Sequence, residues 1–277
     1  MARTSTAVDC DLGACANRVR AASSLTLVLA TCTIALAGCN HRNSPIAVTD
    51  AAPGTNPQMD IAAAVLREPG MQSPAIKQGQ AVVMGTAQCE KGRACFSCFQ
   101  CHGIRGEGGA VAALPRLAGQ DQRYLYRSLQ EFESGERQSA TMHDVASRLT
   151  EQQKQDVALY YSVVTAPAPL QSAVKDTASA QAGLAIEQHG VPENGVPACG
   201  TCHALAPQAN GPVYPYIDGQ YADYIEQQLE NFRSGTRRSA EAQIMQPIAR
   251  GLSAEQSHAV AVHFASKAPP QNTTKPR

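Results

Sequence analysis

Apolar side chains recur with the period of an α-helix in two stretches of the chain that resemble each other. Leu125, Leu129 and Phe132 occupy positions i, i+4 and i+7, which places them on one face of a helix. The same spacing of apolar residues recurs 100 residues later. Gly135 and Gly235 follow the two stretches, and glycine commonly ends a helix because it tolerates a left-handed conformation. The pattern predicts two equivalent amphipathic helices.

A second pair of helices is predicted near the end of each half. Thr150 is followed three residues later by Gln153, and Ser253 by Gln256; both pairs match the capping box that starts a helix. Apolar residues continue at helical spacing behind the caps, at Val157, Tyr161, Val164, Val260 and Phe264. Two further helices are predicted over residues 76–85 and 180–190. Since no segment is a convincing strand candidate, the predicted fold class is all-α.

The two halves of the chain are copies of one another along almost their whole length. Residues 117–140 match residues 217–240 at an offset of 100, and the offset is 101 at the motif cysteines Cys98 and Cys199 and 103 from Met142 and Met245 onward. A repeat of this kind predicts two similar domains. The predicted divisions are a signal peptide at 1–38, a flexible tether at 39–75, a first domain at 76–166, a linker at 167–176, a second domain at 177–268 and a tail at 269–277. Each domain has about ninety residues, a size at which a covalent cofactor at the centre would aid stability.

The N-terminal segment has the features of an export signal. Arginines precede an apolar stretch at residues 25–38, which is too short to span a bilayer comfortably and is typical of a signal peptide. The stretch ends in Leu-Ala-Gly-Cys, which resembles the bacterial lipobox, so we expect Cys39 to be lipidated and the protein to be a membrane-anchored periplasmic lipoprotein. An ordinary signal peptide with a chance cysteine is the alternative, and both interpretations export the protein.

Composition excludes some classes of protein. The chain has 277 residues, 43% of them hydrophobic, with 23 basic and 23 acidic residues and a formal net charge of +0. The hydrophobic content is sufficient for packed cores, so the chain is not a disordered protein. Without a strongly basic surface, nucleic acid is not an expected partner.

Cysteine and histidine gather in two motifs with the shared pattern Cys-x-x-Cys-His. Residues 94–103 read ACFSCFQCHG and residues 198–204 read ACGTCHA. The pattern is typical of covalent c-type haem, in which the sulfurs bond the vinyl carbons and the adjacent imidazole ligates iron. We therefore predict two haems. The predicted attachment residues are Cys98, Cys101, Cys199 and Cys202, and the predicted iron-ligating histidines are His102 and His203.

Iron–sulfur and zinc ligation are the alternatives to haem for these cysteines. Cys95 extends the first motif toward an iron–sulfur run, but the fourth ligand position holds Arg105, and Val196 stands where the second motif would need the matching cysteine. Zinc is the other competing use of two Cys-x-x-Cys pairs. The pairs would then have to converge from separate domains, and each adjacent histidine would have no role.

Methionine is the predicted ligand on the opposite face of each iron. Met142 and Met245 lie 40 and 42 residues after their motif histidines, at matched places in the repeat. A thioether opposite histidine raises the reduction potential, as an electron carrier requires. The alternatives are core gap-filling by both methionines or ligation by His143, His258 or His263, none of which has a histidine counterpart in the other copy.

Two prolines complete the predicted sites. Pro115 and Pro215 follow the motif histidines by 13 and 12 residues. A backbone carbonyl at this place would accept the free N–H of the imidazole and fix its tautomer. A simple loop proline is the alternative.

Two cysteines remain after export and haem attachment have been assigned. Cys89 and Cys95 lie outside both motifs, and spare cysteines tend to pair in an oxidising compartment. We therefore predict a disulfide between them, closing a short loop beside the first motif.

These residues together resemble the two-domain, di-haem class I cytochromes c of bacteria, the cytochrome c4 family. The resemblance runs from about Ala75 to Lys267, on the segments CFQCHG, LPRLAGQ, CGTCH and YPYIDGQ and on the two methionines. It implies two tandem all-α cytochrome c domains, each with histidine–methionine iron. The insertion before the first motif, Ala204 in place of glycine, and the lipobox with its tether are departures from the family pattern.

The resemblance also implies a function. We expect an electron carrier, not an enzyme, that passes single electrons between membrane-bound and periplasmic partners of a respiratory chain, such as a quinol-oxidising complex, a terminal oxidase or a dehydrogenase. The alternatives are the cytochrome subunit of a periplasmic dehydrogenase complex and a di-haem enzyme such as a peroxidase. An enzyme would need an exchangeable iron position with acid–base groups nearby, whereas both domains offer a methionine to close the site.

Overall fold

The computed structural model describes residues 57–92, 94–110, 113–165, 176–204 and 213–269. Within these ranges the chain is helical, and only isolated β-bridges occur. The predicted signal peptide, Cys39, most of the linker and nearly all of the tail lie outside the described residues. None of the described helices combines the length and apolar character needed to cross a membrane.

Two sets of helices correspond to the two repeats. In the first repeat they are α1 (Pro57–Leu66), α2 (Pro74–Val83), α3 (Phe99–His102), α4 (Gln122–Ser134), α5 (Ala140–Ala146) and α6 (Glu151–Val163). In the second repeat they are α7 (Thr177–His189), α8 (Gly200–His203), α9 (Ala222–Ser234), α10 (Ala242–Gly251) and α11 (Ala254–Ser266). The all-α fold predicted from the sequence is confirmed, with a short helix around each methionine that the pattern did not predict.

The predicted amphipathic helices are α4 and α9. Leu125 and Leu129 of α4 are buried in the core of the first repeat. Their counterparts on α9, Ile225 and Leu229, are buried in the core of the second repeat. Gly135 and Gly235 end the two helices with φ of 76° and 78°, a left-handed conformation that costs glycine little. The capping boxes predicted at the start of α6 and α11 are both present.

Helix α2 packs closely on α6, and α7 on α11, in each case through a glycine. A Cβ at Gly79 of α2 would lie 2.2 Å from the carbonyl oxygen of Asp156 in α6. A Cβ at Gly183 of α7 would lie 2.1 Å from the carbonyl oxygen of Ala259 in α11. Both distances are far below van der Waals contact, so the close approach of these helices requires a residue without a side chain.

Part of the segment predicted as a flexible tether is instead a helix. Within residues 39–75, α1 covers Pro57–Leu66 and packs Ala62 and Val65 into the first core, with Met71 buried after it. The buried amide of Gln80 donates to the carbonyl oxygen of Ala62 at 2.7 Å. The sequence pattern did not predict this helix because only two of its residues, Ala62 and Val65, form its apolar face. The helix is stabilised by packing into the first core and not by a long amphipathic repeat.

The two repeats contact each other through a reciprocal pair of glutamines. The side chain of Gln120 accepts from the backbone N–H of Tyr216 at 3.0 Å and donates to its carbonyl oxygen at 2.8 Å. In the same way, Gln220 accepts from the backbone N–H of Arg116 at 2.8 Å and donates to its carbonyl oxygen at 3.0 Å. Because all four residues correspond at an offset of 100, the contact is nearly two-fold symmetric.

Two equivalent arginines extend this interface. Arg137 and Arg237 face each other in an antiparallel bridge, and their guanidinium groups lie 4.5 Å and 4.4 Å from the ring centroids of Phe132 and Phe232. The guanidinium of Arg137 also donates to the hydroxyl of Tyr224 across the interface at 2.6 Å. Both arginines are buried, so these ring and hydrogen-bond contacts replace the water that a buried charge loses.

Candidate haem sites

Each Cys-x-x-Cys-His motif forms one turn of helix. The backbone N–H of His102 donates to the carbonyl oxygen of Cys98 at 2.9 Å, and that of His203 to Cys199 at 3.0 Å. Burial raises the pKa of the Cys98 thiol to about 12 and that of the Cys199 thiol to about 11. Both first cysteines are therefore neutral thiols in the free protein.

The motif histidines are held in one tautomer. Nδ1 of His102 lies 3.2 Å from the carbonyl oxygen of Pro115, and Nδ1 of His203 lies 2.8 Å from that of Pro215. Burial lowers the pKa of both imidazoles, against the opposing effect of these carbonyls. A neutral imidazole whose Nδ1–H donates to a carbonyl keeps the lone pair of Nε2 free, which is the form that ligates a metal.

The two methionines lie on matched helices near the motifs. Met142 belongs to α5 and Met245 to α10, and each is half-buried against the core of its own repeat. The hydroxyl of Ser139 caps α5 by accepting from the backbone N–H of Met142 at 3.3 Å. Both methionines line the same cavity as the motif cysteines and histidines.

The three rival histidines are engaged elsewhere. Nδ1 of His143 lies 3.0 Å from the carbonyl oxygen of Phe132. His258 is half-exposed and contacts Glu226 at 2.8 Å. His263 is buried and contacts Glu187 at 2.6 Å. None of these three side chains lines the cavity.

The cavity that joins these residues has a volume of about 1020 Å³ and runs through both repeats. Its size is at the upper end of cofactor and ligand pockets, which are roughly 300–1,000 Å³. Apolar side chains form much of its wall, among them Leu125, Leu129, Phe132, Val157 and Tyr161 in the first repeat and Ile217, Ile225, Leu229, Phe232 and Val260 in the second. The lining therefore combines apolar side chains with the motif thiols, the motif imidazoles and the methionine thioethers. This combination fits a covalent haem.

The described residues do not favour the other metal sites. Among them, no group of three or more histidine, cysteine, aspartate or glutamate side chains is gathered as a metal site would require. Structural zinc takes four such ligands, and an iron–sulfur cluster normally takes four cysteines. The donor arrangement therefore fits haem and does not fit zinc or a cluster.

A disulfide joins Cys89 and Cys95 in the structure. Gln88 and Ala94, each the residue before one of the two cysteines, form an isolated antiparallel bridge. The backbone N–H of Glu90 donates to the carbonyl oxygen of Arg148 at 2.9 Å. The loop is thus fastened beside the first motif and against the segment that joins α5 to α6.

Comparison with known proteins places the chain in a family. The family model described as cytochrome c matches residues 89–162. Cytochrome c4 of Thiocapsa roseopersicina is 34% identical over 189 residues, which are 68% of this chain and 95% of that protein. The chain belongs to the cytochrome c4 family. The crystal structure of reduced recombinant cytochrome c4 from Pseudomonas stutzeri agrees, with a TM-score of 0.56, 28% identity, and coverage of 69% of this chain and 97% of that one.

Other members of this group have names that refer to thiosulfate dehydrogenase. The thiosulfate dehydrogenase electron acceptor of Stutzerimonas stutzeri is 34% identical over 174 residues, 62% of this chain and 80% of that protein. As a cytochrome c4 protein, the chain is an electron carrier and not an enzyme, and its haem is covalently bound. The relatives give no support to the peroxidase alternative.

Several residues that shape this cytochrome c4 cavity have a role that the sequence pattern did not predict. Tyr161 lines it and donates from its hydroxyl to the carbonyl oxygen of Gly103, beside the first motif, at 3.1 Å. Gln120 and Gln220 also line it. Both glutamines stand in the matched segments LAGQ and IDGQ, so the repeat marked the two positions without indicating what they contact.

Proposed function

We propose that this protein carries single electrons on two covalently attached haems, one in each repeat. Cys98 and Cys101 would attach the first haem, with His102 and Met142 as its iron ligands. The second would use Cys199 and Cys202 for attachment, and His203 and Met245 as ligands. A bound haem supplies the one-electron couple, and the chain supplies ligation, burial and docking.

The observation that carries this proposal is the matched pair of imidazoles. In both repeats the motif histidine is partly buried, has a lowered pKa and is oriented by a proline carbonyl. In both, a methionine at an equivalent place lines the same cavity. A methionine on each iron leaves no exchangeable position, which suits electron transfer rather than substrate chemistry.

A thiosulfate dehydrogenase is the electron donor that the relatives favour. The thiosulfate dehydrogenase electron acceptor of Thiomonas intermedia is 35% identical over 182 residues, 65% of this chain and 81% of that protein. The structure of thiosulfate dehydrogenase TsdBA from Marichromatium purpuratum matches with a TM-score of 0.58 and 31% identity, over 69% of this chain and 40% of that one. Electrons from thiosulfate would enter one haem and leave to a respiratory acceptor.

The same similarity supports a second candidate function, a permanent cytochrome subunit of a dehydrogenase complex. The two roles use the same closed haems and differ in how long the partners stay together. A stoichiometric catalytic partner that copurifies with this chain through size-exclusion chromatography would favour the subunit. Purification of the cytochrome by itself in the active form would favour a diffusing carrier.

The donor is tested by mixing oxidised cytochrome with a purified thiosulfate dehydrogenase and thiosulfate. The expected result is reduction of both haems, followed by their absorption bands, only when all three components are present. Cytochrome with thiosulfate alone is the control. Failure of the complete mixture to reduce the haems, with dithionite still reducing them, would exclude this donor while leaving the carrier function in place.

We further propose that the protein is a periplasmic lipoprotein anchored through Cys39. Support comes from the sequence of the signal and its Leu-Ala-Gly-Cys end. Residues 40–56 would then link the lipid to the packed α1. Membrane fractions are expected to release the protein with detergent and not with high salt, and Cys39→Ala is expected to abolish retention. Release of the natural protein by salt alone would contradict the anchor.

A further inference from the structure

One cluster of charged side chains distinguishes the second domain from the first. His263 of α11 contacts Glu187 of α7 at 2.6 Å, and Lys267 contacts Glu187 at 2.6 Å and Asp218 at 3.1 Å. The side chains of His263 and Glu187 are only 10% and 12% exposed. Charged groups this deeply enclosed interact more strongly than surface pairs because little water screens them.

The equivalent place in the first domain carries no charge. The contacts of Gly79 and Gly183 set the correspondence, since a Cβ at Gly79 would meet Tyr160 and one at Gly183 would meet His263. Gly183 and Gly79 are 104 positions apart, His263 and Tyr160 are 103 apart, and residues 217–240 match 117–140 at an offset of 100. At these offsets the first-domain counterparts of Glu187, His263, Lys267 and Asp218 are Val83, Tyr160, Val164 and Ala118. All four counterparts are buried. The fold shared by the two domains therefore does not require charged residues at these positions.

The cluster lies against the second haem-attachment turn. A Cβ at Gly200, between Cys199 and Cys202, would be 3.5 Å from the carbonyl oxygen and 3.7 Å from the Cγ of Glu187. The thiol of Cys199 also lies 3.9 Å from the carbonyl oxygen of Ile186, the residue before Glu187. Glu187, which bonds His263, therefore lies beside the attachment turn of the second haem, and burial together with the charge of Glu187 raises the pKa of the Cys199 thiol.

His263 is the member of the cluster that can gain a positive charge by binding a proton at its imidazole. Although burial alone would raise the pKa of Glu187, hydrogen bonds from Lys267 and His263 hold that pKa below its usual range, so the carboxylate is ionised. Two carboxylates and one ammonium leave a net negative charge, which a proton on His263 would neutralise. The charged side chains of α9 that reach α11, Glu226 and Arg233, bond other residues of that helix.

We propose that His263, with Glu187, is a proton-binding site coupled to reduction of the second haem. When that haem gains one electron from the donor, the local positive charge falls by one, and His263 takes up a proton from solvent in compensation. Coupling of this kind is reciprocal: reduction tightens proton binding, and protonation raises the reduction potential. The potential of the second haem therefore falls as pH rises and the proton leaves His263.

This inference rests on the proposed haem in the second repeat, and its test separates the two. The reduction potential of each haem is measured from pH 5 to 8 in the holoprotein, with the haem content of every sample determined from its spectrum. The variant is His263→Tyr, which introduces the residue type found at Tyr160. The matched control is His258→Gln on the same helix, at a half-exposed position whose first-domain counterpart is Gln155.

We expect one haem in the natural protein to show the steeper fall with pH. His263→Tyr is expected to remove that additional fall, and His258→Gln to leave it unchanged. Equal pH profiles of the natural protein and the His263→Tyr variant would overturn the proposal, as would a natural protein in which neither haem depends on pH more than the other. Absence of the second haem from the natural holoprotein would instead refute the proposed function.

A measurement on the unmodified protein covers the case in which His263→Tyr fails to fold. The ring protons of His263 are followed by NMR during pH titrations of the fully oxidised and fully reduced protein. The expected result is severalfold tighter proton binding in the reduced state. Equal proton affinity in the two states would overturn the coupling.

Discussion

Removing one of the two interface glutamines is expected to weaken the contact between the domains by a definable amount. In Gln220→Ala the buried backbone N–H and carbonyl of Arg116 lose their partners at 2.8 Å and 3.0 Å. At a net value of about 0.5–1.5 kcal/mol per hydrogen bond, the loss is about 1–3 kcal/mol of unfolding free energy. The measurement is denaturant unfolding of the holoprotein, followed by haem absorption and by far-ultraviolet circular dichroism.

The symmetric arrangement provides an internal check on this prediction. Gln120→Ala removes the matching pair of bonds to Tyr216 and is expected to have a similar cost. Gln243→Ala, at an exposed position in α10, serves as the control and is expected to change the free energy by less than about 0.5 kcal/mol. If both interface variants unfold at the same denaturant concentration as the control, the glutamine contacts do not hold the domains together.

Three further changes have expected outcomes. Gly79→Ala is expected to lower the unfolding free energy by about 1–3 kcal/mol because the added methyl overlaps the backbone of α6, as measured by denaturant unfolding. Met142→Ala is expected to open the first iron, so that carbon monoxide shifts the spectrum of that haem alone and its reduction potential falls. Replacing Cys89 and Cys95 by serine releases a loop with a sequence separation of 6 residues and is expected to cost roughly 2 kcal/mol in the chain-entropy estimate.

Control variants separate the specific effect of each change from general damage to the fold. Gly109→Ala adds a methyl where nothing lies within 4 Å, so an equal loss there would show that the effect of Gly79→Ala is not steric. His143→Ala removes the residue next to Met142 and is expected to leave the first iron closed. Carbon monoxide binding by that variant, and not by Met142→Ala, would reassign the ligand. An unchanged unfolding curve for the double serine variant would mean that the disulfide does not stabilise the first domain.

Local sequence patterns predicted much of the fold. The buried faces of α4 and α9, their glycine ends and the capping boxes of α6 and α11 depend on residues within one or two turns, and such signals are contained in a short window. The helix α1 was missed because its burial depends on distant partners, including Gln80. Its composition alone resembles that of a linker.

The chemistry of the sites was predictable for a different reason. A covalent attachment motif requires adjacent residues, so Cys98, Cys101 and His102 are readable from spacing alone. The two glutamine contacts join residues 96 and 104 positions apart, and the Glu187–His263 pair joins residues 76 positions apart. No spacing rule links residues so far apart, and only the folded chain brings them together.

The most direct test of the account is a haem count with the optical spectrum of the dithionite-reduced protein, before and after addition of carbon monoxide. If Met142 and Met245 close both irons as proposed, the protein has two covalently bound haems per chain and a spectrum that carbon monoxide leaves unchanged. One haem or none, or a large shift with carbon monoxide, would contradict the account.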